Sequence, residues 1–112
     1  MKKSIYKSYK INQINWTKQT ELLSGSKIIL AVDVAKEQQF ALLANEDHSY
    51  SLLVQWNLLE ETTLLISHLK MLNAKIEVVM ESTSTYGDPL RYQCQQAGFE
   101  VFQVSAKRVH ET

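Results

Sequence analysis

The chain has one cysteine, one proline and three glycines among its 112 residues. The single cysteine, Cys94, excludes an internal disulfide framework and fits a reducing compartment. No repeated or low-complexity segment occurs, no apolar run is long enough to cross a bilayer, and Met1-Lys2-Lys3 is not followed by the apolar core of a signal peptide. The hydrophobic content of 45% is ordinary for a globular protein, so we expect a soluble, cytoplasmic protein.

The net charge of zero conceals an asymmetry along the chain. Residues 1–20 contain five lysines and no acidic residue, which leaves a balance of −5 for the rest. We therefore divide the chain into a basic N-terminal arm, residues 1–26, and a body, residues 27–112. Three aromatic residues interleave with the lysines of the arm: Tyr6, Tyr9 and Trp16. This composition can contact phosphates and stack on bases, although an arm that packs its aromatic side chains on the body explains it as well.

The stretch Lys27–Val34 organises the body. Five consecutive apolar residues from Ile28 to Val32 predict a central strand covered on both faces. Asp33 interrupts this run, and an ionised carboxylate among apolar residues is costly unless it is paired, hydrogen-bonded or bound to a cation. Asp33 therefore indicates a site at the carboxyl end of the strand.

The rest of the body alternates between strand and helix patterns. After the first strand we predict strands over Gln38–Ala44 and Tyr50–Trp56, a helix capped by Asn57 and ending near Asn73, a strand over Ile76–Glu81, a helix from Asp88 and Pro89 to Gly98, and a strand over Phe99–Val104. The order β-β-β-α-β-α-β predicts an α/β protein with a mixed sheet of the ribonuclease-H-like fold. In that sheet the first and fourth strands are parallel neighbours.

Asp33 and Glu81 each end one of these two strands, so we expect both carboxylates at one rim of the sheet. Carboxylate oxygens on a rigid sheet suit Mg²⁺ or Mn²⁺, and such ions assist phosphodiester cleavage or transfer. Two carboxylates are usually too few for two ions. Taken singly, each is also explained as an acid that caps a helix or pairs with a lysine such as Lys36.

Several motifs of the body resemble a known family. They are Leu30-Ala-Val-Asp33-Val-Ala-Lys36, Met80-Glu81-Ser-Thr83-Ser-Thr-Tyr86, Pro89-Leu90, Ala97-Gly98 and Val104. Over residues 27–109 the chain resembles the N-terminal half of transposases of bacterial insertion sequences of the "IS one-ten" type, which have a RuvC-like domain with a DEDD carboxylate set. The resemblance implies that Asp33 is the first D and Glu81 the E, both ligands of Mg²⁺ in the cutting and rejoining of DNA strands. The chain departs from the family at Ser84, where glycine is usual, and at Ala106, where proline is common.

The family's last two aspartates lie on a later helix, and its strand-exchange serine lies in a further domain. The resemblance therefore implies a partial RuvC-like domain that is truncated before that helix and inactive alone. It implies DNA as the partner, and it leaves open whether the protein also binds guide RNA or associates with itself. Lys36, Lys107 and Arg108 are weaker candidates for contacts with nucleic acid. The alternative is a module of the same fold that binds nucleic acid or dimerises without chemistry of its own.

Overall fold

The structure is a computed structural model that describes residues 8–23, 27–34, 38–81 and 88–104. These residues form an α/β fold with a mixed six-stranded sheet and three α-helices. The elements are β1 (Ser8–Lys10), a 3₁₀ helix (Ile11–Gln13), α1 (Trp16–Leu23), β2 (Lys27–Asp33), β3 (Gln38–Asn45), β4 (Ser51–Asn57), α2 (Leu58–Lys70), β5 (Lys75–Glu81), α3 (Asp88–Gln96) and β6 (Glu100–Val104). The predicted α/β class is confirmed.

The strand order across the sheet is β1-β4-β3-β2-β5-β6. Strands β2, β3 and β4 are antiparallel neighbours, since short connections join them. Strand β5 follows α2 and runs parallel to β2, and β6 follows α3 and runs parallel to β5. Both helices therefore serve as the crossover connections that parallel strands require. The two parallel pairs place the ends of β2, β5 and β6 at one rim of the sheet.

The hydrophobic core lies between the helices and one face of the sheet. Alternate strand residues point into it, among them Leu30, Leu43, Val54, Trp56 and Val78, all of which are completely buried. The opposite face, which we call the open face, carries side chains that the described helices leave exposed: Ala31 and Asp33 on β2, Phe40 and Leu42 on β3, and Phe102 and Val104 on β6. The prediction that the first strand is covered on both faces is therefore wrong.

Capping residues define both crossover helices. The Asn57 side chain accepts a hydrogen bond from the Glu60 N–H (3.0 Å), as predicted, while the Asn57 N–H donates to the carboxylate of Glu61 rather than to that of Glu60 (2.8 Å). Helix α3 ends at Gln96 and is capped by Gly98, where φ is +89°, and the Phe99 N–H donates to the Cys94 carbonyl (3.1 Å). Within the described residues, no helix combines the length and the apolar content needed to cross a membrane.

Residues 8–23, which the sequence analysis placed in a basic arm, fold against the body. Strand β1 pairs in parallel with β4, and Ile11 in the following turn is fully buried in the core. The Trp16 ring on α1 stacks on the His68 ring of α2 with 4.7 Å between centroids, and its indole N–H donates to the Ile11 carbonyl (3.0 Å). Burial of Ile11 and Leu23 thus holds this segment on the body in spite of its lysines.

Candidate functional site

Asp33 and Glu81 are the last residues of β2 and β5, and they are register partners across this parallel pair. Register partners in neighbouring strands have backbones about 4.8 Å apart and project their side chains to the same face. The N–H of Val34 donates to the Glu81 carbonyl (3.5 Å), so the backbones stay joined at this point. The two carboxylates therefore lie side by side on the open face, at one rim of the sheet.

The alternation of each strand explains this placement. In β2 the side chains of Ile28, Leu30 and Val32 enter the core, which sends Asp33 to the other face. In β5 the side chains of Ile76, Val78 and Met80 do the same, which sends Glu81 to the open face. Both carboxylates are exposed to solvent, so neither has to be desolvated for the chain to fold.

A shallow cavity of about 330 Å³ surrounds the pair. Its other lining residues are apolar: Ala31, Val32, Val79 and Val104. Val104 ends β6 and is the register partner of Glu81, while Phe40 of β3 is the partner of Asp33. The site is therefore a row of four strand positions, Phe40, Asp33, Glu81 and Val104, with two acids at its centre.

The charges of the open face are distributed unevenly between its two ends. At the far end Lys27 forms an ion pair with Glu77 (3.3 Å), and Lys75 forms one with Glu100 (3.5 Å). The hydrogen bond and the negative charge of Glu77 raise the pKa of Lys27 above its ordinary value. Among the residues that the structure describes, no cation pairs with Asp33 or Glu81. As far as the described residues go, two negative charges therefore remain uncompensated at this rim.

Two adjacent carboxylates are hard oxygen donors of the kind that Mg²⁺ and Mn²⁺ prefer. They can supply two ligands to one ion, with water or phosphate oxygens in the remaining positions. In the described part of the chain, no group of three or more His, Cys, Asp or Glu side chains comes together. The pair therefore fits part of a divalent-metal site, and a complete coordination sphere requires further oxygen donors.

The other residues singled out in the sequence have different outcomes. Lys36, Lys107 and Arg108 lie outside the described residues. Cys94 is buried in the hydrophobic core, and burial raises the pKa of its thiol to about 12. The sequence analysis did not identify Val104 as part of the site, although the end of a third predicted parallel strand could have indicated it.

Comparison with known proteins adds little to this description. No protein-family model matches the chain. No curated protein matches it either. Three solved chains match, and one of them is ethanolamine utilization protein EutJ from Carboxydothermus hydrogenoformans, with a TM-score of 0.44 and 6% sequence identity over 68% of this chain and 35% of that chain. The chain thus spans about a third of the length of EutJ, and a likeness at this level assigns no function.

Proposed function

We propose that this chain supplies two carboxylate ligands, Asp33 and Glu81, of a divalent-metal site in a transposase that cuts and rejoins DNA strands. The observation that carries the proposal is the register pairing of the two residues at the ends of β2 and β5, with both charges uncompensated among the described residues. The resemblance of the motifs around them to transposases of the "IS one-ten" type supports the choice of reaction. DNA as substrate implies a cytoplasmic protein.

The fold that we propose with this function is ribonuclease-H-like, of the RuvC-like kind. The order of elements from β2 to β6 and the parallel pairing of β2 with β5 support it. In this arrangement Asp33 and Glu81 would be the residues that hold the ion. When bound, Mg²⁺ or Mn²⁺ supplies activation of the attacking oxygen and stabilisation of the leaving oxygen.

A second candidate function is a binding module that holds DNA or guide RNA, or dimerises, without chemistry of its own. One observation favours it: within the described ranges only two carboxylates meet at the rim, fewer than metal-dependent phosphodiester chemistry usually needs. The two candidates differ in how binding of nucleic acid depends on the metal. At a carboxylate site, a bound metal ion strengthens the binding of a nucleic-acid phosphate, whereas a pure binding module binds nucleic acid equally well without the metal.

The test is a titration of the protein with Mn²⁺, in which electron paramagnetic resonance measures the concentration of the free ion. Wild-type protein is expected to bind one Mn²⁺ weakly, and Asp33→Asn or Glu81→Gln is expected to weaken binding by at least about tenfold, because each removes one charged ligand of a divalent ion. Addition of Mn²⁺ is also expected to tighten binding of a DNA fragment by the wild type and to have no such effect in the two variants.

Two control variants make the same change, from a carboxylate to an amide, at positions outside the proposed metal site. Glu77→Gln removes a carboxylate from the same strand and face, four positions before Glu81, but one that already pairs with Lys27. Asp47→Asn removes an aspartate from the turn between β3 and β4. Both are expected to bind Mn²⁺ within about twofold of the wild type. Equal losses in all four variants, or no loss in any, would refute the metal site.

A further inference from the structure

A second cavity, of about 260 Å³, lies on the other side of the sheet from Asp33 and Glu81. It opens between α1 and the edge formed by β1 and β4, with Tyr9, Tyr50 and Leu52 among its walls. Tyr50 and Leu52 also pack against the hydrophobic core, which places this cavity on the helix-covered face. The metal-site proposal uses none of its lining residues.

Three amide side chains line this cavity, and each uses its oxygen within the protein. The Gln13 oxygen accepts from the Lys10 N–H (3.2 Å), and the Asn15 oxygen accepts from the Lys18 N–H (3.1 Å). The Gln19 oxygen accepts from the Tyr50 hydroxyl (2.9 Å). These bonds fix the orientation of each amide, so the groups left for a ligand are the three NH₂ donors.

Gln19 gives the strongest indication of a ligand. Its side chain belongs to a residue that is only 6% exposed, and its NH₂ group has no acceptor within the part of the chain that the structure describes. Among the described residues, every side-chain nitrogen or oxygen that is fully buried has a hydrogen-bond partner. Because this NH₂ group has none, it is not fully buried and is accessible from the cavity. A nearly buried donor is costly to leave without an acceptor. The cavity must therefore provide one, as water or as a ligand.

The charge of the cavity selects an anionic ligand. Lys18 lies at its rim, is exposed, and forms no ion pair with any residue in the described ranges. No acidic side chain is among the described residues that line it. One ammonium group and three amide donors match the oxygens of a phosphate better than any cationic or donor-rich group.

The remaining wall is apolar. Leu22, Leu52 and the tyrosine rings line it, and Leu22 is 40% exposed although it is a large aliphatic residue. Such a wall suits the face of a nucleobase, which stacks on aromatic and apolar side chains. The volume is slightly below the range of about 300–1,000 Å³ that is usual for small-molecule sites, so the cavity suits a group the size of one nucleotide.

We propose that this cavity binds one nucleotide of a single-stranded nucleic acid, with its phosphate on Lys18 and the amide donors and its base against the apolar wall. The inference rests on the proposed function in one respect, the choice of nucleic acid as partner. It uses different residues on a different face, and its binding does not require a metal ion. A free mononucleotide presents the same chemistry and is the other possible source of the ligand.

The test measures binding of a fluorescently labelled twelve-residue single-stranded DNA by anisotropy in EDTA, which separates it from the metal site. Gln19→Glu keeps the size of the side chain and an acceptor for the Tyr50 hydroxyl, but it replaces the donor by a negative charge. We expect it to weaken binding more than about tenfold. Lys18→Gln is expected to weaken binding about fivefold and to reduce the slope of log K against log salt by about 0.7.

The matched control is Lys70→Gln, which removes the same charge from an exposed lysine at the end of α2. It is expected to change binding less than about twofold. Circular dichroism establishes that each variant is folded. Wild-type affinity in both Gln19→Glu and Lys18→Gln, or an equal loss in Lys70→Gln, would overturn the proposal. If uridine monophosphate binds as tightly as the oligonucleotide and depends on the same two residues, the nucleotide site stands and the single strand is rejected as its source.

Discussion

A third carboxylate placed beside Glu81 should convert the weak metal site into a stronger one. Val104 is the residue to replace, because it is the register partner of Glu81, lines the same cavity and is 38% exposed. In Val104→Glu a new charge lies one strand beyond Glu81, about 7 Å from an ion shared by Asp33 and Glu81, and a unit charge attracts a divalent ion at that distance by roughly 1.2 kcal/mol in water. Mn²⁺ affinity should therefore rise by about sevenfold.

The matched control is Gln103→Glu, which adds the same side chain one position earlier on β6. Successive strand residues point to opposite faces, so this charge lies on the helix side, where Gln103 contacts Arg91 (3.3 Å). A charge about 10 Å from the ion, screened by salt, changes affinity by about twofold at most. Titration of both variants with Mn²⁺ gives the answer. Equal gains in the two variants, or no gain in Val104→Glu, would show that the rim does not bind an ion in the way described.

Three further predictions concern the core and the buried titratable groups. The Trp56 indole N–H donates to the Thr62 hydroxyl (3.0 Å) in the core, so Thr62→Val should lower the free energy of unfolding by about 1–3 kcal/mol in urea, and by clearly less when Trp56 is already phenylalanine. Burial lowers the pKa of His68, so the imidazole binds a proton more readily in the unfolded chain than in the folded one. The free energy of unfolding, measured in urea at several pH values, should therefore fall as the pH drops below about 6.5, and His68→Phe should remove this dependence. Cys94, with a pKa of about 12, should not react with a thiol reagent at pH 8 until the protein is unfolded.

The body of the fold could be predicted because its strands and crossover helices have clear patterns. Strand β2 is almost entirely apolar, and Leu65, Leu69 and Leu72 recur at the spacing of one helix face and are all buried. The open face could not be predicted in the same way. Phe40 and Leu42 have the composition of buried strand residues, yet they are about 40% exposed, because only the sheet topology decides which face the helices cover.

The elements before residue 27 could not be predicted from the sequence for a different reason. Strand β1 has only three residues, and it pairs with β4, more than forty positions later. So short a strand gives no periodic pattern, and its partner cannot be inferred from local sequence. The lysines of the segment also suggested a solvated arm, whereas Ile11 and Leu23 anchor it in the core. The second cavity forms only because this segment packs against the sheet. Its amide donors therefore could not be predicted from the sequence either.

The pairing of Asp33 with Glu81 is fixed by the same packing that forms the core. Side chains alternate between faces along a strand, so a slip of β5 by one residue would send Glu81 to the helix side and bring Met80 to the open face. That slip would also remove Ile76, Val78 and Met80 from the core, where all three are buried. The cost of losing these contacts opposes any other register. The two carboxylates therefore stay side by side for as long as the sheet is folded, whether or not a metal ion is bound between them.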